Sequence, residues 1–426
     1  MNIVFITKDY LPKIGGVEIH VSMLAAELVK DKHNINIITL ANPGERELSG
    51  AEDKCSSVPC HPELVSGSAS IKVLRLSSNF FSDCNAVKPG PVALSRTHSC
   101  LSRTHSCHPE LVSGSASKLV NVVRRISHYK GLLTKMILFS KADVIHFHDF
   151  SIMYYFLPFV YIFKTMLKKR IYITFHGWEG IFPPPPDIIK KRALCESLAA
   201  GNICIGDFIP KWYGTRADII SYGGVEKKDV SDVSNNSSDK NIVFIGRLSA
   251  DTGIVQYLEA WKKIQKKYPD LNLIICGDGP LMGNISNEIN DGKLFNVTLA
   301  GMVRNIDDYL RTAEVVFTSG YLSMLTAFAY GKKVISVYDN DLKKDYLEMM
   351  PDSIDIKPRR GDISKYQIPN TKYQRDMFWI AGSAEEILYA YDAAVNDKDK
   401  AAKAYKFALD NDWAKVKEEY YKLWKI

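Results

Sequence analysis

Several short clusters in this chain carry groups able to hold an anion or an oxygen-rich ligand. The string Pro12-Lys13-Ile14-Gly15-Gly16-Val17-Glu18-Ile19-His20 sets a Gly-Gly turn before residues of helical spacing. Glycine lets backbone N–H groups approach an anion closely, and a helix start adds partial positive charge. Gly15 and Gly16 are therefore a candidate diphosphate cradle, with a plain tight turn as the competing reading. His146-Phe147-His148-Asp149 and Thr174-Phe175-His176-Gly177 each close an apolar run. If the first run is a regular strand, His146 and His148 share one face, either buried or at a cleft edge. In Gly246-Arg247-Leu248 the guanidinium suits phosphate because it forks to two oxygens; the alternative is an ordinary surface arginine.

Other chemistries find less support. None of the eight cysteines forms a CxxC pair, so neither a zinc site nor a disulfide framework is indicated. Asp339-Asn340-Asp341 and Asp410-Asn411-Asp412 have the spacing of a metal-binding acidic motif but read as solvated turns. No carboxylate pair of glycosidase type is identifiable. Cys276-Gly277-Asp278-Gly279-Pro280 reads as a turn after a strand; it is not the GxGxxG fingerprint of a dinucleotide oxidoreductase.

The elements that must position these groups follow from periodicity. Residues 3–7, 35–40, 71–76, 144–147, 171–175 and 202–205 read as buried strands, and Val17, Val21, Leu24 and Leu28 recur at helical spacing between the first two. The pattern restarts after the polar stretch 226–240, which reads as a flexible excursion. Strands are expected at 242–245, 273–276, 297–300, 315–318 and 333–337, with a helix from 254 to about 267. Repeated βαβ units predict parallel sheets covered on both faces. The expected division is a first Rossmann-like domain at 1–206, a second at 207–408, and a segment at 409–426 whose amphipathic helix crosses back to the first.

One region stands apart. CHPELVSGSAS occurs at 60–70 and again at 107–117, and LSRTHSC occurs twice in tandem from 94 to 107. Two copies at unequal spacing are too few for a solenoid, so 53–70 and 81–117 read as repeat-element sequence inserted in frame, forming flexible loops. His61, His98, His105 and His108 are discounted as metal ligands on that ground. The chain left without these segments suits two domains.

Taken in order, PxxGGxExH, HFHD, TFHG, GRL and CGDGP resemble successive landmarks of the family 4 retaining glycosyltransferases, group 1 enzymes with two Rossmann-like domains facing a cleft (the GT-B fold, α/β). The resemblance covers most of the chain outside the repeats. It implies that Gly15 and Gly16 face the donor diphosphate, that Arg247 neutralises the leaving diphosphate, and that His176 contacts the transferred sugar, with His148 and Asp149 at the cleft edge. It also implies donor contacts from Thr252, Ser319, Gly320, Tyr321, Leu322 and Thr326. Three positions depart from the family. Thr252 stands where a lysine is usual, and Thr318 and Thr326 stand where two glutamates eight positions apart are usual. Threonine can hydrogen-bond but carries no charge and reaches less far.

The expected function is transfer of a glycosyl group from a nucleotide diphosphate sugar to an acceptor hydroxyl with retention, in cell-envelope or polysaccharide synthesis. The resemblance implies no cofactor and no metal. The partners expected are a nucleotide sugar and a glycan or lipid-linked acceptor, and no nucleic acid. The rival is a non-catalytic sugar-nucleotide or glycan binding protein on the same decayed fold; an epimerase would need an acid and base that are not identifiable.

Composition is ordinary: 55 Lys and Arg against 48 Asp and Glu give +7, a mild excess without a nucleic-acid footprint. The apolar run 2–6 lacks the features of a secretory signal, so a cytoplasmic location is expected. Residues 152–163 are too short to span a bilayer and read as a buried helix, with interfacial contact as the alternative. Lys168, Lys169 and Arg170, with Lys190, Lys191 and Arg192, are candidates for peripheral contact with the inner face of an anionic membrane, or else are solvated helix ends.

Overall fold

The computed structural model describes residues 1–11, 15–40, 70–76, 125–126, 128–228, 240–303, 305–350, 377–397 and 399–426. The duplicated segments at 53–70 and 81–117 lie outside these residues except for Ser70, as do Pro12, Lys13, Ile14 and residues 229–239 of the polar excursion.

In chain order the strands are β1 (Asn2–Thr7), β2 (Asn34–Leu40), β3 (Ile71–Leu76), β4 (Val144–His148), β5 (Ile171–Phe175), β6 (Gly201–Ile205), β7 (Ile219–Ser221), β8 (Asn241–Ile245), β9 (Asn272–Cys276), β10 (Val297–Gly301), β11 (Ala313–Phe317), β12 (Lys333–Val337) and β13 (Trp379–Ala381). Among the described residues they form two parallel sheets, ordered β3-β2-β1-β4-β5-β6-β7 and β10-β9-β8-β11-β12-β13. The central strands are continuous apolar runs because helices cover both faces: every residue of β4 and β5 is buried. Register aligns the carboxyl ends, pairing Thr7 with His148 and His148 with Thr174. The turns that follow these strands therefore open on one edge, where open α/β sheets bind ligands.

Three expectations are corrected. The first sheet includes β7, so the chain leaves it only after Ser221 and not at 206. β7 is three residues long, too short for its alternation to register as a strand. β13 was missed for the same reason. The apolar stretch 152–163 is two helices, Phe150–Tyr155 and Leu157–Thr165, because Pro158 sits in the first turn of the second.

The helix Trp413–Trp424 lies on the first unit. Trp413, Val416, Tyr420, Leu423 and Trp424 are buried in one core with Ile3, Phe5, Val21, Leu24 and Ile35. At Gly201 the fit is tight, since a Cβ there would come within 2.9 Å of Leu423. The two units also share a core in which Phe208, Tyr222, Tyr321 and Tyr346 pack together. Polar ties cross the same seam. Trp212 donates to Asp345 at 2.8 Å, and the Tyr222 hydroxyl donates to the Met349 carbonyl at 2.9 Å.

Candidate functional site

An open cleft of about 540 Å³ separates the two units, with Trp178, Glu179 and Gly180 on one wall and Arg247, Asp251 and Pro280 on the other. Arg247 is held there by two loops that touch backbone to backbone. Leu248 N–H donates to the Asp278 carbonyl at 2.9 Å and Leu281 N–H to the Leu248 carbonyl at 3.0 Å. A Cβ on Gly277 would lie 1.8 Å from the Gly246 oxygen, and one on Gly279 would lie 2.5 Å from the Leu248 oxygen. The two glycines of CGDGP are thus explained by contact: the second turn braces the first. The Arg247 side chain is 63% exposed and pairs with Asp251 at 2.6 Å, so it faces the cleft with one anionic partner already in place.

On the first unit, Gly15 caps the helix Gly16–Lys30 in extended conformation. A Cβ on Gly15 would meet the Glu18 carboxylate at 2.5 Å, so that acid folds back over the turn. Gly16 has open space around it. Behind the turn lie four histidines. His146 and His148 are fully buried, which settles their shared face as the inner one, and His148 is therefore not an open edge residue. His148 Nδ1 lies 3.2 Å from His176 Nε2, and the half-buried His176 ring packs edge-on to His20 at 5.0 Å. Burial pushes His20 down to about 3 and holds His146, His148 and His176 well below the usual histidine range. At neutral pH this is a wall of neutral imidazoles.

Asp149 has φ 87° and accepts a hydrogen bond from Phe150 N–H at 2.6 Å. Burial raises its carboxyl to about 6, opposed by the nearby Arg192. Arg192 overturns its surface reading. It is fully buried, pairs with Glu179 at 2.6 Å, donates to the Gly177 carbonyl at 3.0 Å and stacks over Tyr213. Arg192 thus holds the 177–179 loop that forms one wall of the cleft. The cue was faint: one arginine in a Lys-Lys-Arg run turned inward.

The second unit's donor candidates are mostly committed to their own elements. Thr252 donates to the carbonyls of Arg247 and Ser249, both at 2.7 Å, closing the turn that carries Arg247. The Ser319 hydroxyl points into the core, where it accepts from Val337 N–H at 2.9 Å. Thr326 donates to the Leu322 carbonyl at 2.8 Å, and the Thr318 hydroxyl is 2.6 Å from that of Ser323. Gly320 caps the helix Tyr321–Ala329, but Tyr321 N–H donates to the Tyr346 hydroxyl at 2.7 Å and the two rings stack at 3.9 Å. Leu322 packs against the first unit beside Gly223. A buried cation missed from sequence, Lys343, donates to the Ser319 carbonyl at 2.8 Å, and burial lowers it to about 8. Both Asp-Asn-Asp runs serve helix starts, with Asn340 and Asp412 acting as side-chain caps.

Residues 239–344 match the family described as Glycosyl transferases group 1. A curated relative, an uncharacterized glycosyltransferase of Methanocaldococcus jannaschii, is 29% identical over 143 residues, 32% of this chain and 34% of that protein. The match thus spans about a third of the relative's length. Solved structures align along the whole chain at low identity. HepE of Anabaena, in complex with UDP, has a TM-score of 0.57 at 13% identity and covers 99% of both chains. Sucrose-phosphate synthase of Thermosynechococcus elongatus has a TM-score of 0.62 at 12% identity and covers 100% of this chain and 98% of its own. These likenesses show the GT-B fold, two Rossmann-like α/β units of parallel sheet. Among the described residues no helix is long and apolar enough to cross a membrane.

Proposed function

We propose that this chain transfers a glycosyl group from a nucleotide diphosphate sugar to an acceptor hydroxyl with retention of configuration, as a family 4 enzyme of hexosyltransferase type in cell-envelope or polysaccharide synthesis. The observation that carries the reading is Arg247, exposed in the inter-unit cleft on a loop braced by a second loop, within the stretch that matches the group 1 family. In this reading the diphosphate competes with Asp251 for the guanidinium, and backbone N–H groups at Gly15 and Gly16 approach it from the other side. In the same reading His176, neutral and half-buried just before the loop that forms the cleft wall, contacts the sugar. The acceptor hydroxyl attacks on the face the diphosphate leaves, and the leaving phosphate helps to take the proton. No metal enters the scheme, and the acceptor is a glycan or lipid-linked sugar reached from the cytoplasmic side, with peripheral membrane contact through Lys168, Lys169 and Arg170.

A second reading, a non-catalytic sugar-nucleotide or glycan binder, draws on the internal commitment of Thr252, Thr318, Ser319 and Thr326. One experiment separates them. The chain is screened for thermal shift against a panel of sugar nucleotides, uridine diphosphate sugars first because HepE was solved with UDP, and the best ligand is then assayed for transfer. Transfer that falls about 10²-fold or more in Arg247→Ala, survives chelators and is unaffected by Asp341→Ala supports the enzyme. Binding without transfer supports the binder, and a strict divalent-metal requirement overturns the mechanism.

A further inference from the structure

We propose that Trp424 and Tyr420, on the helix that returns to the first unit, are positioning residues that fix the tautomers of the buried histidines, so that His20 carries its hydrogen on Nδ1. Any role of that hydrogen toward a ligand rests on the transfer reading above; the tautomer assignment does not.

The direction of the hydrogen bonds follows from a group that can only donate. The indole Nε1–H of Trp424 meets His146 Nδ1 at 3.1 Å, so that nitrogen is an acceptor. In a neutral imidazole the hydrogen then sits on Nε2, which donates to Thr174 Oγ1 at 2.8 Å. The Thr174 side chain is fully buried, and its other partner is the Tyr420 hydroxyl at 2.8 Å. Having accepted from His146, the threonine donates to Tyr420; the reverse would leave a buried hydroxyl hydrogen without an acceptor, which is costly. Tyr420 in turn donates to His20 Nε2 at 2.9 Å. The polarity imposed by one indole is thus handed through His146, Thr174 and Tyr420 to a histidine on the first helix, one turn beyond Gly15 and Gly16. Among the described residues His20 Nδ1 makes no hydrogen bond, and His20 is buried, so the tautomer leaves its one unengaged N–H on that nitrogen. A donor at that place favours an oxygen-rich or anionic group over a cation.

Trp424 packs its ring against Phe5, His146, Tyr420 and Tyr421, so its effect on His20 passes through the relay. The test is long-range ¹H–¹⁵N correlation of the imidazoles in the full-length protein, with His20→Asn to assign the His20 signals. The natural chain is expected to show His20 as the Nδ1–H tautomer by at least about fivefold, the bias set by one unsatisfied buried hydroxyl. Trp424→Phe keeps the aromatic packing but removes the fixed donor, and the Nε2–H tautomer of His20 is expected to rise to a comparable share. Tyr420→Phe, which removes the donor that holds His20 Nε2 as an acceptor, provides the same readout should Trp424→Phe fail to fold. His20 as Nε2–H or as imidazolium in the natural chain, or an unchanged tautomer in folded Trp424→Phe or Tyr420→Phe, overturns the proposal. Absence of transfer activity would count against the functional reading and leave the spectroscopic result standing.

Discussion

In the first unit, polar side chains from four separate elements share one relay at positions 20, 146, 174 and 420, whereas in the second the hydroxyls of Thr252 and Thr326 each end on a carbonyl a few residues away. The contrast is between a network, whose members depend on one another, and a set of local closures. Networks built from distant segments respond cooperatively to a single loss, while local bonds fail one at a time. The wall in the first unit should therefore be intolerant of change, and the shelf in the second open to it.

The largest effect expected is on pH stability. His20, His146, His148 and His176 stay neutral in the fold at pH values where an unfolded chain protonates them, so below about 6.5 the unfolded state binds more protons and stability falls as pH falls. Asp149, raised to about 6, and Glu419, raised to about 7, act in the opposite direction, since both are protonated in the fold before they are in the unfolded chain. The histidines outnumber these acids, so denaturant midpoints should drop steeply between pH 6.5 and 5. A flat profile there would mean that the wall is not neutral and would dissolve the contrast.

Next in size is the ion pair under the cleft wall. Glu179→Ala leaves Arg192 buried without its carboxylate and should cost about 3–5 kcal/mol of stability by denaturant titration. A cost under about 1 kcal/mol, the range of an exposed pair, would show that solvent reaches Arg192.

On the shelf, Thr326→Glu sharpens the comparison. If the pocket has been reshaped around threonine, an added carboxylate without partners lowers transfer. Donor binding that instead tightens by about 1–3 kcal/mol, with transfer appearing only in the variant, would favour the decayed binder. Binding isotherms and turnover of the two proteins side by side decide it.

The smallest effect is expected at Glu419, whose Oε2 is buried without a partner in the returning helix. Burial raises its carboxyl to about 7, so Glu419→Gln should stabilise the protein modestly at pH 8 and leave it nearly unchanged at pH 5, where the acid is already protonated. Thermal midpoints at the two pH values check the difference.

Much of the scaffold was legible because buried parallel strands leave runs such as 3–7, 144–147 and 171–175 that hardly resemble anything else. The three-residue strands Ile219–Ser221 and Trp379–Ala381 were not, since so short a stretch has no periodicity to read. Arg247 could be picked out from its neighbours, Gly246 and Leu248, whereas Tyr420, Trp424 and Arg192 could not. Their importance lies in what they touch across long sequence separations, and an amphipathic helix or a basic run looks the same whether or not it does so. Ser319 shows the converse case: its place in the chain suggested a ligand contact, but its hydroxyl faces inward.

The return of Trp413–Trp424 to the first unit also sets an order of events during synthesis on the ribosome. β7 ends at Ser221 and the last helix at Trp424, so 203 residues are translated between the end of the first sheet and the segment that seals it. At about 5–20 residues per second that is roughly 10–40 s, during which the surface of Phe5, Val21 and Leu24 destined for the helix stays uncovered on the nascent chain. The second unit can mature in that interval, but the first cannot, and chaperones that hold exposed apolar surface would find it there.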